Sequence, residues 1–362
     1  MENDMSNVFK ADLLAEKLDD STAFLVTSDV NRQYLTGFSS SDGAVLITAR
    51  RNYFFIDFRY IDNARKGTYS NFEVVLMTNL KRQLRDALNA HGIHKLIVES
   101  QSMTLFQYEK YREELFPVQV SADNLLSDAL SAMRIIKSAD EIKNIISAQR
   151  IAERAFDILI TKIKVGQTEK QVAAMLNFLM LENGAEDISF PTIVASGANS
   201  ASPHAVPTDK PLRENEFILF DFGAVVNGYH SDMTRTIVMG KADDTMKEVY
   251  TAVKSANLDA IKAAKAGITA KLLDNVARST LSAWGYGDYF GHSLGHGVGL
   301  EIHEAPSVSP TGAVTLKQGM VITIEPGVYL SGKFGVRIED MVVITEHGCE
   351  NLTNSPKNLI VI

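Results

Sequence analysis

The sequence predicts a two-domain protein in which a small α/β domain precedes a larger α+β domain. The chain has 362 residues, which exceeds the size at which a single hydrophobic core usually stops growing. Its first third alternates short apolar runs with amphipathic segments, a pattern typical of a mixed sheet with helices. The remainder combines long amphipathic helices with apolar strands that contain acidic residues, and one pair of these strands forms a clear β-hairpin pattern.

Composition excludes several functional classes. Apolar residues make up 45% of the chain, and the net charge of −8 comes without the basic cluster that a nucleic-acid surface needs. The polar first ten residues lack a signal-peptide core, and no apolar run approaches the roughly 20 residues of a membrane span. The single cysteine, Cys349, excludes a disulfide framework and fits a reducing compartment. We therefore expect a cytoplasmic protein with neither a nucleic-acid nor a membrane partner.

The first domain is expected to span residues 1–127. Five strands are predicted in it, at Ala23–Val26, Ala44–Thr48, Tyr53–Ile56, Glu73–Leu76 and Lys95–Val98. Two helices are predicted, at Leu80–His91 and Leu105–Leu115. These elements indicate a small domain with a mixed sheet and its own core.

The second domain is expected to span residues 138–362 and to begin with a helix. Ser138 and Glu141 form a Ser-x-x-Glu capping box, in which each side chain bonds a backbone N–H at the helix start. An apolar stripe at helical spacing continues from there to about Leu159. Three further amphipathic helices are predicted, at Thr168–Asn183, Asp243–Ala266 and Ala270–Trp284.

A β-hairpin is predicted over residues 218–238. Apolar runs flank Asn227 and Gly228, and this dipeptide is the strongest signal for a two-residue type I′ turn. Such a turn sets a register in which Asp221 lies opposite Thr234. The hairpin would therefore bring the two ends of this segment side by side.

The hairpin register places two carboxylates on one face. Asp232 lies two residues from Thr234, so Asp221 and Asp232 become diagonal neighbours with Cα atoms roughly 7–8 Å apart. Gly223, opposite Asp232, is expected to leave that face open. Two acids on an apolar ribbon require something positive between them, and a divalent metal satisfies this. The alternative is that one aspartate faces solvent and the other caps a turn, and from this pair alone it explains the pattern as well as a metal does.

Histidines and further acids follow along the chain. Three of the eight histidines, His292, His296 and His303, occur within a dozen residues, among glycines that permit close backbone approach to a ligand. His204 ends a loop of small residues. The acidic residues Glu325 and Glu339 lie within two apolar segments, where a charge is costly unless it is paired.

A faint internal repeat is visible around the acids. Ile-Leu-Phe-Asp221-Phe-Gly is similar to Ile-Thr-Ile-Glu325-Pro-Gly, and each segment is followed by a returning strand with a second acid. The hypothesis of an internal duplication predicts two β-ribbons related by pseudo-twofold symmetry.

Four carboxylates and one imidazole make an oxygen-rich set that suits hard or borderline divalent ions. Their charge is sufficient for two dications, which can lower the pKa of a shared water and stabilise an attacked carbonyl. Such a centre is suited to the hydrolysis of an amide or ester bond. The remaining histidines would act as hydrogen-bond donors or proton carriers.

The acids and His296 occur in an order that resembles a known metallopeptidase family. Their spacing and flanking motifs over residues 138–362 are similar to those of Xaa-Pro aminopeptidases, prolidases and methionine aminopeptidases, which share the pita-bread catalytic fold. The first domain resembles the creatinase-like domain of the Xaa-Pro branch, which methionine aminopeptidases lack, and Asp57-Phe-Arg-Tyr60 is similar to a segment of that domain. Creatinase shares the fold but is metal-free, and the complete ligand set argues against it.

The resemblance implies a role for each residue of the site. Asp221 would bind one metal, Asp232 and Glu339 would bridge the two ions, and His296 and Glu325 would bind the other. Glu325 would also carry the proton of the attacking water. These five residues form the expected metal set, which is Asp221, Asp232, His296, Glu325 and Glu339.

Four further residues are implied to assist catalysis. His204 resembles the histidine near the scissile nitrogen, and His303 the one that stabilises the oxyanion. His292 resembles the additional histidine of the Xaa-Pro branch, and Arg337 the arginine that supports its site. A tertiary proline nitrogen has no N–H and must be protonated as it leaves, which fits such proton carriers.

The expected activity is that of a dinuclear metal-dependent Xaa-Pro aminopeptidase, which cleaves peptides with proline in second position. Mn²⁺ is the expected metal, with Co²⁺ or Zn²⁺ as alternatives. The segments 37–43 and 57–60 favour the aminopeptidase over an Xaa-Pro dipeptidase (prolidase), which acts on dipeptides only. A non-catalytic binding protein on the same fold is the remote alternative. The resemblance also implies a homodimer in which the N-terminal domain of one subunit forms part of the wall of the other subunit's active site.

Overall fold

A computed structural model describes residues 9–362 of the chain. The chain divides into two compact units, Met1–Met133 and Arg134–Ile362. Residues 128–137, between the two predicted domains, include most of a helix, α6 (Leu125–Arg134). Within residues 9–362, no helix combines the length and apolar character required to cross a membrane.

The first unit is built on a six-stranded mixed sheet with strand order β4-β3-β2-β1-β5-β6. Its strands are β1 (Thr22–Val26), β2 (Ala44–Thr48), β3 (Asn52–Ile56), β4 (Phe72–Leu76), β5 (Lys95–Val98) and β6 (Gln119–Ser121). Its other helices are α1 (Lys10–Ala15), α2 (Asp29–Thr36), α3 (Ile61–Gly67), α4 (Leu80–Ala90) and α5 (Leu105–Glu114). The predicted α/β class is confirmed. The sequence did not predict the short helices α1, α2 and α3, which carry few apolar residues in a periodic pattern.

Four long helices of the second unit form two packed pairs, α7 with α8 and α9 with α10. They span α7 (Ala139–Ile160), α8 (Glu169–Glu182), α9 (Asp244–Ala263) and α10 (Ala270–Ala283). The capping box at Ser138 is present, since its hydroxyl accepts from the Glu141 N–H at 3.3 Å and its own N–H donates to the Glu141 carboxylate at 2.7 Å. All four predicted helices are therefore confirmed.

The strands of the second unit form three- and five-stranded sheets and a two-stranded ribbon, in the orders β11-β10-β7, β12-β9-β8, β14-β13-β15-β18-β19 and β16-β17. The first group is β7 (Asp187–Ile188), β8 (Ile193–Ser196), β9 (Glu216–Phe222), β10 (Ala224–Val226), β11 (Tyr229–His230) and β12 (Met233–Met239). The second group is β13 (Gly295–Gly297), β14 (Glu304–Val308), β15 (Val321–Ile324), β16 (Gly327–Leu330), β17 (Phe334–Arg337), β18 (Asp340–Ile344) and β19 (Cys349–Asn351).

The first ribbon, which we define as β9 to β12, has the predicted turn and register. Asn227 and Gly228 have φ values of 50° and 75°, as a type I′ turn requires. Asp221 pairs with Thr234 in the β9–β12 ladder. The helix pair α7 and α8 packs behind this ribbon, and the Phe156 ring lies 5.4 Å from the ring of Phe220.

Gly223 does not leave an open face, so that expectation is wrong. A Cβ atom at this position would lie 1.8 Å from the carbonyl oxygen of Ser231. The ladder is interrupted here, and the Ser231 N–H donates to the Ala224 carbonyl at 2.9 Å. Glycine is required because the opposite backbone approaches too closely for any side chain.

The second ribbon, which we define as β15 to β18, is interrupted in a similar way. The β15–β18 ladder ends at the pair Ile324 and Asp340, and the β16–β17 ladder begins at Gly327 and Arg337. Pro326 lies in the gap and has no N–H to donate. Two packed helices followed by an interrupted ribbon thus occur twice in the second unit. The duplication hypothesis predicts this order, and its pseudo-twofold symmetry stays a prediction.

Candidate metal centre and active site

The second unit contains a cavity of about 310 Å³ between the two ribbons and the histidine-rich loops. All nine residues that the sequence singled out line it, namely His204, Asp221, Asp232, His292, His296, His303, Glu325, Arg337 and Glu339. Phe190, Ile193 and Ile302 add an apolar portion to the wall. The fold therefore brings the nine side chains together, while their individual roles stay predictions.

The first ribbon contributes two carboxylates in different surroundings. Asp221, on β9, accepts a hydrogen bond from the Arg337 guanidinium through its Oδ2 atom. Its buried Oδ1 atom has no hydrogen-bond partner among the described residues. Asp232 follows β11, and the whole residue is only 4% exposed.

The second ribbon contributes Glu325 and Glu339 from its gap. The Glu339 Oε2 atom accepts from the Thr234 hydroxyl at 2.7 Å, and the Glu339 N–H donates to the Thr234 carbonyl at 3.1 Å. The Oε1 atom of Glu339 is buried without a partner in the described part of the chain. Glu325 accepts from the Thr323 hydroxyl at 3.0 Å. Each glutamate is thus held by a threonine through one of its carboxylate oxygen atoms.

His296 lies on β13 between glycines that the backbone packing requires. A Cβ atom at Gly295 would lie 2.1 Å from the Thr323 carbonyl oxygen, and one at Gly297 would lie 2.1 Å from that of Ala305. The His296 Nδ1 atom is 3.1 Å from the Gly297 carbonyl oxygen, so this nitrogen carries the proton and donates. The free Nε2 atom is 3.6 Å from the nearer Asp232 oxygen and 3.4 Å from that of Glu325.

Protonation states at the centre follow from burial and from the neighbouring acids. Burial, reinforced by the charges of Glu339 and Asp221, raises the pKa of Asp232 well above its usual range. Burial and the nearby acids likewise raise the pKa of Glu339 well above its usual range and that of Glu325 to about 7. Burial and the neighbouring His303 lower the pKa of His296 to about 4, which keeps the imidazole neutral. Bound cations would allow all of these carboxylates to ionise together.

The donor set fits divalent metal ions. Ligand atoms of Asp232, His296 and Glu339 lie within 4.8 Å of one another. The unpartnered oxygen atoms of Asp221 and Glu339 are buried beside this cluster, where an unpaired acceptor is costly. Carboxylate oxygen and neutral imidazole are the ligands that borderline divalent ions prefer in proteins. These residues are therefore suited to hold cations.

Two family models match almost the whole chain. The model of metallopeptidase family M24 matches residues 143–346, and the creatinase/prolidase N-terminal domain model matches residues 12–136. The chain belongs to metallopeptidase family M24. Its fold is a creatinase-type N-terminal domain followed by the pita-bread catalytic domain, as predicted, and family M24 enzymes are hydrolases that use divalent metal ions.

Relatives within family M24 carry two activity names. The Xaa-Pro dipeptidase of Pyrococcus horikoshii is 40% identical over 93% of this chain and 94% of its own length. The solved structure of an Xaa-Pro dipeptidase from Bacillus anthracis has a TM-score of 0.92 at 37% identity, and covers 98% of this chain and 99% of that one. That of an X-Pro aminopeptidase from Thermotoga maritima has a TM-score of 0.91 at 38% identity, and covers 96% of this chain and 100% of that one.

A hydrogen-bond network beside the candidate metal centre includes Tyr329, which the sequence did not indicate as a site residue. The Tyr329 hydroxyl lies 2.9 Å from the His292 Nε2 atom and accepts from the Arg337 guanidinium at 2.8 Å. Burial raises the pKa of Tyr329 to about 12, so its hydroxyl keeps its proton. Strand alternation could have found it, because residues 325, 327 and 329 share a face.

The loop that carries His204 is held by a buried carboxylate of the M24 domain. Glu169, the first residue of α8, is 0% exposed. It accepts from the Ser196 N–H at 2.7 Å, from the Asn199 amide at 3.1 Å and from the Thr208 hydroxyl at 2.6 Å. These donors lie on both sides of His204, so one carboxylate fixes both ends of the loop. No sequence pattern indicates this role beyond the predicted start of the helix.

A cluster of ion pairs holds the loop that carries His303. The side chain of Glu304 accepts from Lys137 and from Arg134, each at 2.6 Å. The adjacent His303 ring packs edge-on against His296, with their centroids 4.3 Å apart. The position of His303 therefore depends on ion pairs that cross about 170 residues of sequence.

Proposed function

We propose that the chain is a metal-dependent Xaa-Pro dipeptidase, which hydrolyses the bond between a first residue and a C-terminal proline. The observation that supports peptide hydrolysis is the convergence of four carboxylates and His296 on one cavity of about 310 Å³. That volume is at the lower end of ligand sites, which suits a short substrate. The sequence favours an aminopeptidase, but the names of the relatives favour the dipeptidase alternative.

Two divalent ions would be held by Asp221, Asp232, His296, Glu325 and Glu339. When bound, they supply Lewis-acid chemistry, which polarises a carbonyl group and makes water nucleophilic near neutral pH. Mn²⁺ is our expected metal, with Co²⁺ or Zn²⁺ as alternatives, because the set is rich in carboxylate oxygen and lacks thiolate.

Proton transfer is assigned to Glu325. Its carboxylate lies in the cavity, and the Thr323 hydroxyl at 3.0 Å fixes one of its oxygen atoms. A proline nitrogen in a peptide bond has no N–H, so the nitrogen must receive a proton as it leaves as the secondary amine of proline. Glu325 would accept the proton of the attacking water and deliver it to that nitrogen.

The histidines surround the position of the scissile bond. His303 would donate a hydrogen bond to the developing oxyanion, which is where a fixed donor lowers the barrier most. His204 would contact the proline side of the substrate. His292 and Arg337 share the Tyr329 hydroxyl, and Arg337 also binds Asp221, so this network would hold the metal ligand and the histidine in fixed positions.

The test compares substrates of different length on the purified protein with Mn²⁺. We expect hydrolysis of Xaa-Pro dipeptides, at least tenfold slower hydrolysis of Xaa-Pro-Xaa tripeptides, and loss of activity in EDTA. Comparable turnover of dipeptides and tripeptides would support the second candidate, the aminopeptidase, which the similarity to the Thermotoga maritima structure favours. A protein that binds Mn²⁺ but cleaves neither substrate would contradict both activities.

A further inference from the structure

We propose that Asn257 is a positioning residue that sets the separation of Glu325 and Glu339 and thereby the metal affinity of the centre. The proposal rests on the proposed function, since both glutamates are assigned there as metal ligands. Asn257 lies in the middle of α9, is 0% exposed and does not line the cavity. It would act through the backbone of the second ribbon and without touching the substrate.

The side-chain amide of Asn257 connects the two halves of the ribbon. Its Nδ2 atom donates to the carbonyl oxygen of Ile324 at 3.0 Å and to that of Ile338 at 3.3 Å. These two residues immediately precede Glu325 and Glu339. One planar group with two hydrogens therefore links the peptide units from which both glutamates project.

This link lies at the gap in the ribbon, where regular pairing is absent. The Glu325 N–H donates to the Leu294 carbonyl at 2.9 Å, and the Glu339 N–H donates to the Thr234 carbonyl at 3.1 Å. Both N–H groups thus bond outside the ribbon. One long backbone hydrogen bond crosses the gap, from the Ile338 N–H to the Pro326 carbonyl at 3.4 Å, and the Asn257 amide supplies a further contact that fixes the spacing of the two glutamates.

The surroundings of Asn257 argue against a purely structural role. The residue is embedded in an apolar core whose members include Val253, Ala256, Ala260, Ile322 and Val342. Its Oδ1 atom has no hydrogen-bond partner among the described residues. A buried amide with an unpaired oxygen is less favourable than a well-packed apolar side chain of the same size. What the Asn257 amide provides, and an apolar side chain would not, is a fixed orientation of the two carbonyl groups.

The experiment measures Mn²⁺ binding to the metal-free, full-length protein by isothermal titration calorimetry. Asn257→Leu removes both donated hydrogen bonds at similar volume, and we expect Mn²⁺ affinity to fall about 10- to 100-fold, the range for residues that orient metal ligands. We also expect kcat for an Xaa-Pro dipeptide to fall at least tenfold with KM changed less than threefold.

Val253→Ala is the matched control, because it lies one turn earlier on α9, faces the same core and makes no polar contact with the ribbon. We expect it to lower the melting temperature but to keep wild-type Mn²⁺ affinity. If Asn257→Leu does not fold, Asn257→Ala, which also removes both donated hydrogen bonds, serves in its place. Wild-type affinity in a folded Asn257→Leu or Asn257→Ala variant would overturn the proposal. The binding comparison holds even if the wild-type protein cleaves no Xaa-Pro dipeptide, so the two failures are distinguishable.

Discussion

The two ribbons of the catalytic domain deliver two carboxylates each to one cavity, but they place them differently. In the first ribbon, Asp221 belongs to a regular ladder opposite Thr234, and Asp232 lies beyond the end of that ladder as a diagonal neighbour. In the second ribbon, Glu325 and Glu339 lie opposite each other within a gap. Like charges that lie directly opposite each other are closer and more destabilising than a diagonal pair, so the second pair has the greater need of additional contacts.

The side chains that stabilise the two gaps also differ in how far along the sequence they lie from the groups they bind. In the first ribbon, the Ser231 hydroxyl accepts from the Ala224 N–H at 3.0 Å, and these residues are seven positions apart. In the second ribbon, Asn257 reaches from α9 to carbonyl groups 67 and 81 residues away. The first ribbon is thus stabilised by residues of its own, whereas the second depends on a side chain of helix α9, which lies outside the ribbon.

The largest expected effect tests whether both ribbons are needed for catalysis. Asp232→Asn and Glu339→Gln each replace an assigned bridging carboxylate with a neutral amide. We expect each variant to lose kcat/KM by at least about a thousandfold, or about 4 kcal/mol, because charge stabilisation at the transition state is removed. Steady-state assays with Mn²⁺ on an Xaa-Pro dipeptide measure this.

The fold should survive both substitutions, since each removes one of several repelling acids. Circular dichroism and thermal melting should therefore resemble those of the wild type without metal. Asp244→Asn, which changes a fully exposed acid at the start of α9, is the control and should keep full activity. Activity in only one of the two amide variants would show that a single ribbon provides the essential carboxylate.

The same contrast explains what the sequence could predict. The Asn227-Gly228 turn determined the register of the first ribbon, and the capping box at Ser138 located the start of α7. Both signals depend on neighbours a few residues apart. Asn257 gave no such signal, because an isolated asparagine in an amphipathic helix acquires its role only when the helix packs on the ribbon.

The role of Gly223 was misjudged for a related reason. Strand alternation showed which residue it faces, but it could not show that the Ser231 carbonyl would occupy the space. Eight of the nine cavity residues are acids or histidines, which are conspicuous inside apolar or glycine-rich segments, whereas Arg337 was indicated only by the family resemblance. Glu169 and Glu304 also make several polar contacts, but their partners lie far away in the sequence.

A smaller effect concerns the repulsion between the ribbons. We expect Mn²⁺ to raise the melting temperature of the metal-free protein by several degrees more at pH 8 than at pH 6. Burial raises the pKa of Glu325 to about 7 and that of Asp232 and Glu339 well above their usual values. In the unfolded chain these groups ionise near pH 4. A raised folded pKa contributes stability that is complete below pH 4 and is lost as the pH rises through about 7.

Bound cations would offset that loss, and at pH 6 they must first displace protons from the acids, so their net effect is smaller there. Differential scanning calorimetry with EDTA or with excess Mn²⁺ measures both increments. Glu346→Gln, which removes an exposed acid that does not line the cavity, should leave the difference unchanged. Equal increments at the two pH values would mean that the acids are already ionised in the metal-free protein.

The smallest expected effect tests the local stabilisation of the first ribbon. Ser231→Ala removes the acceptor of the buried Ala224 N–H, and we expect a loss of about 1–2 kcal/mol in the free energy of unfolding. Mn²⁺ affinity should change less than threefold, because the ladder from Met233 to Met239 still fixes the ribbon. Urea unfolding and calorimetric titration measure the two quantities. If Ser231→Ala weakened Mn²⁺ binding as strongly as Asn257→Leu, both gaps would control the metal ligands alike, and the distinction between a locally and a remotely specified ribbon would be lost.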